Sequence, residues 1–185
     1  MSSIISLTEK EKTFLLNLAR DTISKTAEGI DFDESGTFFS KSLKEKYGVF
    51  VTLHIGDQLR GCIGYVVGVE PLQSAVREMA KSAAFNDPRF PPLDKDEVAD
   101  LKIEISVLSP LKQIEDINEI QVGFHGIVIE KGIHKGLLLP QVATEYNWDV
   151  ETFLGHTCMK AGLSSDDWKS KNTKIQIFSA EIFSE

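Results

Sequence analysis

With 185 residues the chain is long enough for one ordinary domain, or one domain with a small added lobe, and for a core that needs no disulfide or metal staple. Its 20 Lys plus Arg against 28 Asp plus Glu leave a net charge of -8, which makes a nucleic-acid backbone a poor general partner. Two cysteines are too few for a disulfide framework, no secretory signal is visible at the N-terminus, and stretches such as Gly136-Leu137-Leu138-Leu139 fall far short of the ~20 apolar residues of a membrane helix, so the expectation is a cytoplasmic protein with no membrane span.

Thr8-Glu9-Lys10-Glu11 has capping-box form, and Leu7, Phe14, Leu15, Leu18 and Thr22 recur at helical spacing, so the chain opens with an amphipathic helix. An acidic, Gly- and Ser-containing surface connection follows from Glu28 to Thr37, then a short helix ending near Tyr47-Gly48. Val49–Ile55 and Leu59–Tyr65 read as a β-hairpin around Gly56-Asp57-Gln58. Glu70-Pro71 opens a helix with Leu72, Ala75, Val76, Met79, Ala80 and Ala83 in one apolar stripe. The three prolines between Asn86 and Pro92 exclude helix and central strand there.

Ile103, Ile105 and Val107 alternate with Lys102, Glu104 and Ser106, a strand with one wet face that stops at Pro110. A weak helical stretch is expected around Ile114–Ile120, then a second hairpin from Gly126–Glu130 and Gly136–Leu139, and a short helix from Pro140 through Tyr146. Asp149 caps a helix carrying Val150, Phe153, Leu154, Thr157, Cys158 and Ala161 on one face, with Gly162 as its stop. The chain closes with a strand from Thr173 to Phe183, whose apolar parity switches between Ile177 and Phe178 and so suggests a bulge. Helices interleaved with hairpins point to the α+β class: a mainly antiparallel sheet with helices packed against it. The basic residues are scattered, and Lys169 to Lys174 reads as a solvated face.

The hexapeptide Leu59-Arg60-Gly61-Cys62-Ile63-Gly64 is the richest site candidate. Strand alternation puts Arg60, Cys62 and Gly64 on one face, bringing a guanidinium beside a thiol. A two-residue loop suits Gly56-Asp57, but it mixes Val51 and Leu53 onto the Arg60 face; a three-residue loop keeps one face apolar, and sets Thr52 across from Cys62 and His54 across from Arg60. A thiol becomes a thiolate near a cation, which Arg60 and His54 are placed to supply, and Gly64 leaves open space beside the sulfur. The alternative is that Cys62 is a small hydrophobe, Arg60 an ion-pair partner, and both glycines serve close backbone packing.

His125, between Phe124 and Gly126, is a candidate acid or base, or else a turn histidine bonded to its own loop. Asp87 and Arg89 either line a cleft for a carboxylate or phosphate or brace the proline-rich loop as a pair. In His156-Thr157-Cys158 the helical spacing sends the histidine and the thiol to different sides, so Cys158 belongs to the core. No metal-ligand spacing and no Walker or dinucleotide glycine pattern occurs, and composition names no cofactor.

Taken in order, Gly48-Val49-Phe50-Val51-Thr52-Leu53, the hexapeptide, Asp87-Pro88-Arg89-Phe90-Pro91-Pro92, Ile105-Ser106-Val107-Leu108-Ser109-Pro110, Gly123-Phe124-His125-Gly126, Leu137-Leu138-Leu139-Pro140-Gln141-Val142-Ala143 and Lys160-Ala161-Gly162-Leu163 resemble the AMME chromosomal-region domain family, called AmmeMemoRadiSam system protein A in microbes. The resemblance runs from about the first helix to near the C-terminus, and the LRGCIG word is that family's hallmark. It implies a single family domain over residues 1–185, with a larger sheet-containing part, a smaller lobe, and the hexapeptide near a cleft between them. It also implies separate Memo-like and radical-SAM proteins as partners, and no settled activity. Two functions follow as expectations. One is a thiol-dependent enzyme acting on a small anionic substrate, with Cys62, Arg60 and His125 catalytic and Gly61, Gly64, Asp87, Arg89 and His54 binding. The other is a noncatalytic binding or accessory module using the same cleft for a small anion or a protein partner. RNA binding follows only from the family proposal, and the acidic balance disfavours it.

Overall fold

The structure is a computed structural model that describes residues 6–30 and 38–185. Its chain divides into two compact units: Ser6–Leu108 with Glu181–Glu185, here the N-terminal unit, and Ser109–Ala180, the C-terminal unit. Helices and antiparallel strands make up both, as the α+β expectation requires.

The N-terminal unit opens with helix α1, Glu9–Ala27. Its capping box forms as read: Thr8 accepts from the Glu11 N–H, while the Glu11 carboxylate accepts from the Thr8 N–H. Burial pushes the Glu11 carboxyl up, but hydrogen bonds from Ser40 and from the Thr8 backbone and hydroxyl more than offset it and bring the group to about 2. Leu15, Leu18, Thr22 and Ile23 are buried, whereas Phe14 stays half-buried and stacks on Phe39. Of the expected acidic connection, residues 31–37 lie outside the described residues; the short helix beyond it is a single 3-10 turn, Ser42–Lys44.

Strands β1 (Gly48–Ile55), β2 (Gln58–Tyr65) and β3 (Leu101–Leu108) lie in the order β2-β1-β3, all antiparallel. Val49, Val51 and Leu53 of β1 and Ile103, Ile105 and Val107 of β3 form one buried face. Helix α2, Leu72–Phe85, rests on β1 and β2 through its full expected stripe, and α1 rests on α2. Burying each of these branched side chains contributes about 1.5–3 kcal/mol. The 86–92 segment has neither helix nor strand.

The C-terminal unit contains β4 (Lys112–Ile114), β5 (His125–Lys131), β6 (His134–Leu138), the short helix α3 (Pro140–Glu145) and α4 (Val150–Lys160). The closing strand β7, Lys174–Ser184, pairs with β4 and β5 here, while its residues from Glu181 onward belong to the N-terminal unit. The stretch expected to be helical around Ile114–Ile120 is instead β4 followed by a 3-10 turn, Ile117–Glu119, because Ile114 takes its place in the ladder opposite Ile175. The bulge expected between Ile177 and Phe178 is absent from the ladders with β4 and β5, whose registers run without a shift. Phe178 breaks the apolar parity because β7 buries both faces there: Ile177 joins the core of Ile127, Phe153 and Leu154, and the Phe178 ring lies against Gly126.

Candidate functional site

The β1–β2 hairpin reconciles its turn chemistry with its apolar pattern. Gly56-Asp57 is a two-residue loop, with Ile55 opposite Gln58 and Gly56 at φ +58°, the left-handed value that such loops need at their first position. A register shift between Leu53 and His54 then restores the parity, so Leu53 faces Gly61 and Thr52 faces Cys62. Thr52 is therefore where the apolar pattern puts it. His54 is not: it lies opposite Leu59, and Arg60 is the extra residue of the bulge. The three-residue loop is replaced by two residues plus a bulge.

Cys62 is half-buried, and its Sγ lies 3.2 Å from the Thr52 hydroxyl. Its backbone is held by the proline-rich loop. The buried Asp87 carboxylate accepts from the Cys62 N–H at 2.9 Å, and Arg89 Nη2 donates to the Cys62 carbonyl at 3.1 Å. Arg89 also forks onto Asp87, with Nε at 2.9 Å and Nη2 at 2.7 Å. These Arg89 bonds, with the Cys62 N–H, hold the Asp87 carboxyl well below the usual carboxylate range against the upward push of burial. Since β2 ends the strand order, the Asp87–Arg89 pair supplies β2 with the donor and acceptor that a neighbouring strand would provide. Both readings of the pair are open from sequence; the ion pair forms, and its bonds reach beyond its own loop to the Cys62 main chain.

Arg60 turns to another partner. Its Nε and Nη2 fork onto Glu97 at 2.8 and 2.9 Å, and Nη1 donates to the Pro91 carbonyl at 3.1 Å. The Arg60 side chain is 12% exposed, that of Arg89 53%, so Arg89 is the guanidinium beside the hexapeptide that stays open to solvent. Glu97 was not among the sequence candidates. Asp94-Lys95-Asp96-Glu97 carries a readable capping box, which forms, but nothing in that spacing announces a partner 37 residues away.

The glycines serve contact. A Cβ on Gly61 would stand 2.1 Å from the Ala83 carbonyl oxygen of α2, and one on Gly64 would stand 2.5 Å from the Phe50 ring. The open space expected beside the sulfur at Gly64 is occupied by that ring.

His125 begins β5 in the C-terminal unit. Its Nδ1 accepts from the Gln121 N–H at 3.1 Å, and burial lowers its pKa while the Glu119 backbone opposes the shift. That is the geometry of a histidine bonded to its own turn. Cys158 is fully buried in the core with Phe153, Leu154 and Ile129, and burial pushes its thiol up. His156 instead stacks on Trp148 at 3.9 Å. Among the described residues no group of three or more His, Cys, Asp or Glu is arranged to hold a metal ion, and no helix is long and apolar enough to cross a membrane.

The AMMECR1 family model matches residues 16–183. Protein MK0488 of Methanopyrus kandleri is 46% identical over 193 residues, which cover 97% of this chain and 90% of that protein. Protein MJ0810 of Methanocaldococcus jannaschii is 42% identical over 187 residues, 97% of this chain and 92% of that one. Among solved structures, the uncharacterized protein PH0010 from Pyrococcus horikoshii superposes with a TM-score of 0.88 at 42% identity, covering 97% of this chain and 93% of that chain. The resemblance carried by the ordered motifs is borne out, and the chain belongs to the AMMECR1 family.

Proposed function

We propose that this protein is a noncatalytic binding module that recognises a small anion, or the carboxylate of a partner protein, beside the hexapeptide strand through the exposed guanidinium of Arg89. One contrast carries the reading: of the two arginines at the hexapeptide, Arg60 is closed by its fork on Glu97 and its bond to Pro91, while Arg89 is fixed by Asp87 and still open to solvent. A fixed, exposed guanidinium suits carboxylate recognition, because its geometry is set before the ligand arrives. The thiol-dependent enzyme is supported less well. Cys62 Sγ meets the Thr52 hydroxyl rather than an imidazole or carboxylate that would take its proton, and Arg60 is committed elsewhere.

Titration with succinate and with inorganic phosphate, followed by amide shifts at Cys62 and Arg89, tests both readings. Wild type and Cys62→Ser are expected to bind alike, and Arg89→Met to bind about tenfold more weakly, a loss of ~1.4 kcal/mol. Equal binding by Arg89→Met overturns the module reading. Rapid iodoacetamide alkylation of Cys62 in the native protein at or below pH 7 returns the advantage to a thiolate enzyme.

A further inference from the structure

The wet face of the N-terminal sheet holds a second feature, which the reading above does not use. At the end of β1 and β3 remote from Gly48, a cavity of about 350 Å³ opens on His54, Asp57, Lys102 and Glu104, with Gly56 and Ile103 also in its wall. His54 lies opposite Lys102 and Thr52 opposite Glu104 on the β1–β3 ladder. Thr52 also faces Cys62, so Glu104 in the cavity lining shares one cross-strand row with Thr52 and Cys62.

Asp57, Lys102 and Glu104, three of the charges around this cavity, form no ion pair among the described residues. Elsewhere in the unit Arg20 pairs with Glu185, Lys12 with Glu9 and Glu181, Arg60 with Glu97, and Arg89 with Asp87. Lys102 and Glu104, two residues apart on one strand face, form no ion pair with each other, and neither they nor His54 and Asp57 hydrogen-bond to any described side chain. Glu185, also in the wall, is already engaged by Arg20 and by the Ile103 N–H.

We infer that this cavity is a binding site for a small zwitterion of the α-amino-acid class, with its carboxylate on Lys102 and its ammonium on Glu104. Same-face neighbours on a strand start about 6.6 Å apart, which leaves room between an ammonium tip and a carboxylate tip for a ligand carrying two adjacent opposite charges. A single anion satisfies Lys102 and leaves Glu104 and Asp57 repelling it; a single cation does the reverse. Only a ligand with both charges meets both ends. The volume falls at the small end of metabolite pockets, and His54 and Asp57 line the side toward the turn, where they select among side chains.

The test is a titration of the ¹⁵N-labelled full chain with L-alanine, L-serine, L-lysine and L-glutamate, with propylamine and propionate as one-charge controls. Saturable shifts are expected at Gly56, Asp57, Ile103 and Glu104 with at least one amino acid, and binding about tenfold weaker for both controls. Lys102→Met and Glu104→Gln should each weaken that amino acid about tenfold while the rest of the amide spectrum is unchanged. No saturable shift with any of the four up to about 20 mM overturns the inference. So does undiminished binding to either variant, or propionate or propylamine binding as tightly as the zwitterion. Because Arg89 takes no part, Arg89→Met should leave this titration as it is, which separates the failure of this site from the failure of the anion reading.

Discussion

The two cysteines stand in opposite surroundings. Cys158 is sealed among Phe153, Leu154 and Ile129 on a helix of the C-terminal unit, and burial makes its thiol harder to ionise. Cys62 is half-buried on the last strand of its sheet, with a hydroxyl at its sulfur and an ion pair gripping its backbone. One cysteine fills volume through its side chain. Around the other, the organised groups address the main chain, so the polar framework at the hexapeptide shapes a strand more than it activates a thiol.

The strongest way to break that contrast is to push the strand away from its helix. Gly61→Val places carbon where the Ala83 carbonyl lies, and should cost about 3 kcal/mol or more in urea unfolding. A cost under about 1 kcal/mol would mean that the strand is not pinned there. Next comes the ion pair. Asp87→Asn leaves Arg89 without its counter-charge and weakens the grip on the Cys62 N–H, an expected loss of about 2–3 kcal/mol.

The pH dependence of that loss has a definite sign. Arg89 depresses the folded pKa of Asp87 below its unfolded value, so its stabilisation is complete above the ordinary value of about 3.9 and is lost as pH falls below it toward the lower folded value. Asp87→Asn should therefore flatten the acid limb of the stability curve. Glu11, brought to about 2, leaves a residual slope in the same region.

The smallest effects compare the cysteines directly. Cys158→Ser buries a hydroxyl among apolar side chains and should cost about 1–2 kcal/mol, against less than about 0.5 kcal/mol for Cys62→Ser beside Thr52. Thiol labelling followed by mass spectrometry should modify Cys62 in the native protein and Cys158 only on unfolding. Equal labelling of both would erase the contrast.

Elements whose signals are local were legible in the sequence. Thr8 to Glu11, the stripe from Leu72 to Ala83, and Asp149 capping α4 all form as read, because capping and helical periodicity act within a few residues. The errors arise where two local rules compete or where distant residues decide. At the first hairpin, loop chemistry and apolar parity asked for different registers, and a bulge at Arg60 satisfies both. The strand β4 is three residues long and exists only through its pairing with β7. Phe178 looked like a bulge because sequence parity alone does not distinguish a shifted strand from one buried on both faces. At the site, the Thr52–Cys62 juxtaposition followed from alternation, whereas the partners of Arg60 and Cys62 come from the 86–97 segment, at separations that no periodicity encodes.

The grip of Asp87 and Arg89 on Cys62 also bears on solubility. A terminal strand with unsatisfied main-chain groups is a template on which another copy of the same strand can grow. Here two side chains from a proline-rich loop occupy that template at its middle, and Arg89 adds a charge facing water. The residues that shape the hexapeptide thereby also protect it from self-association, and concentrated Arg89→Ala protein should show by light scattering what happens when that protection is removed.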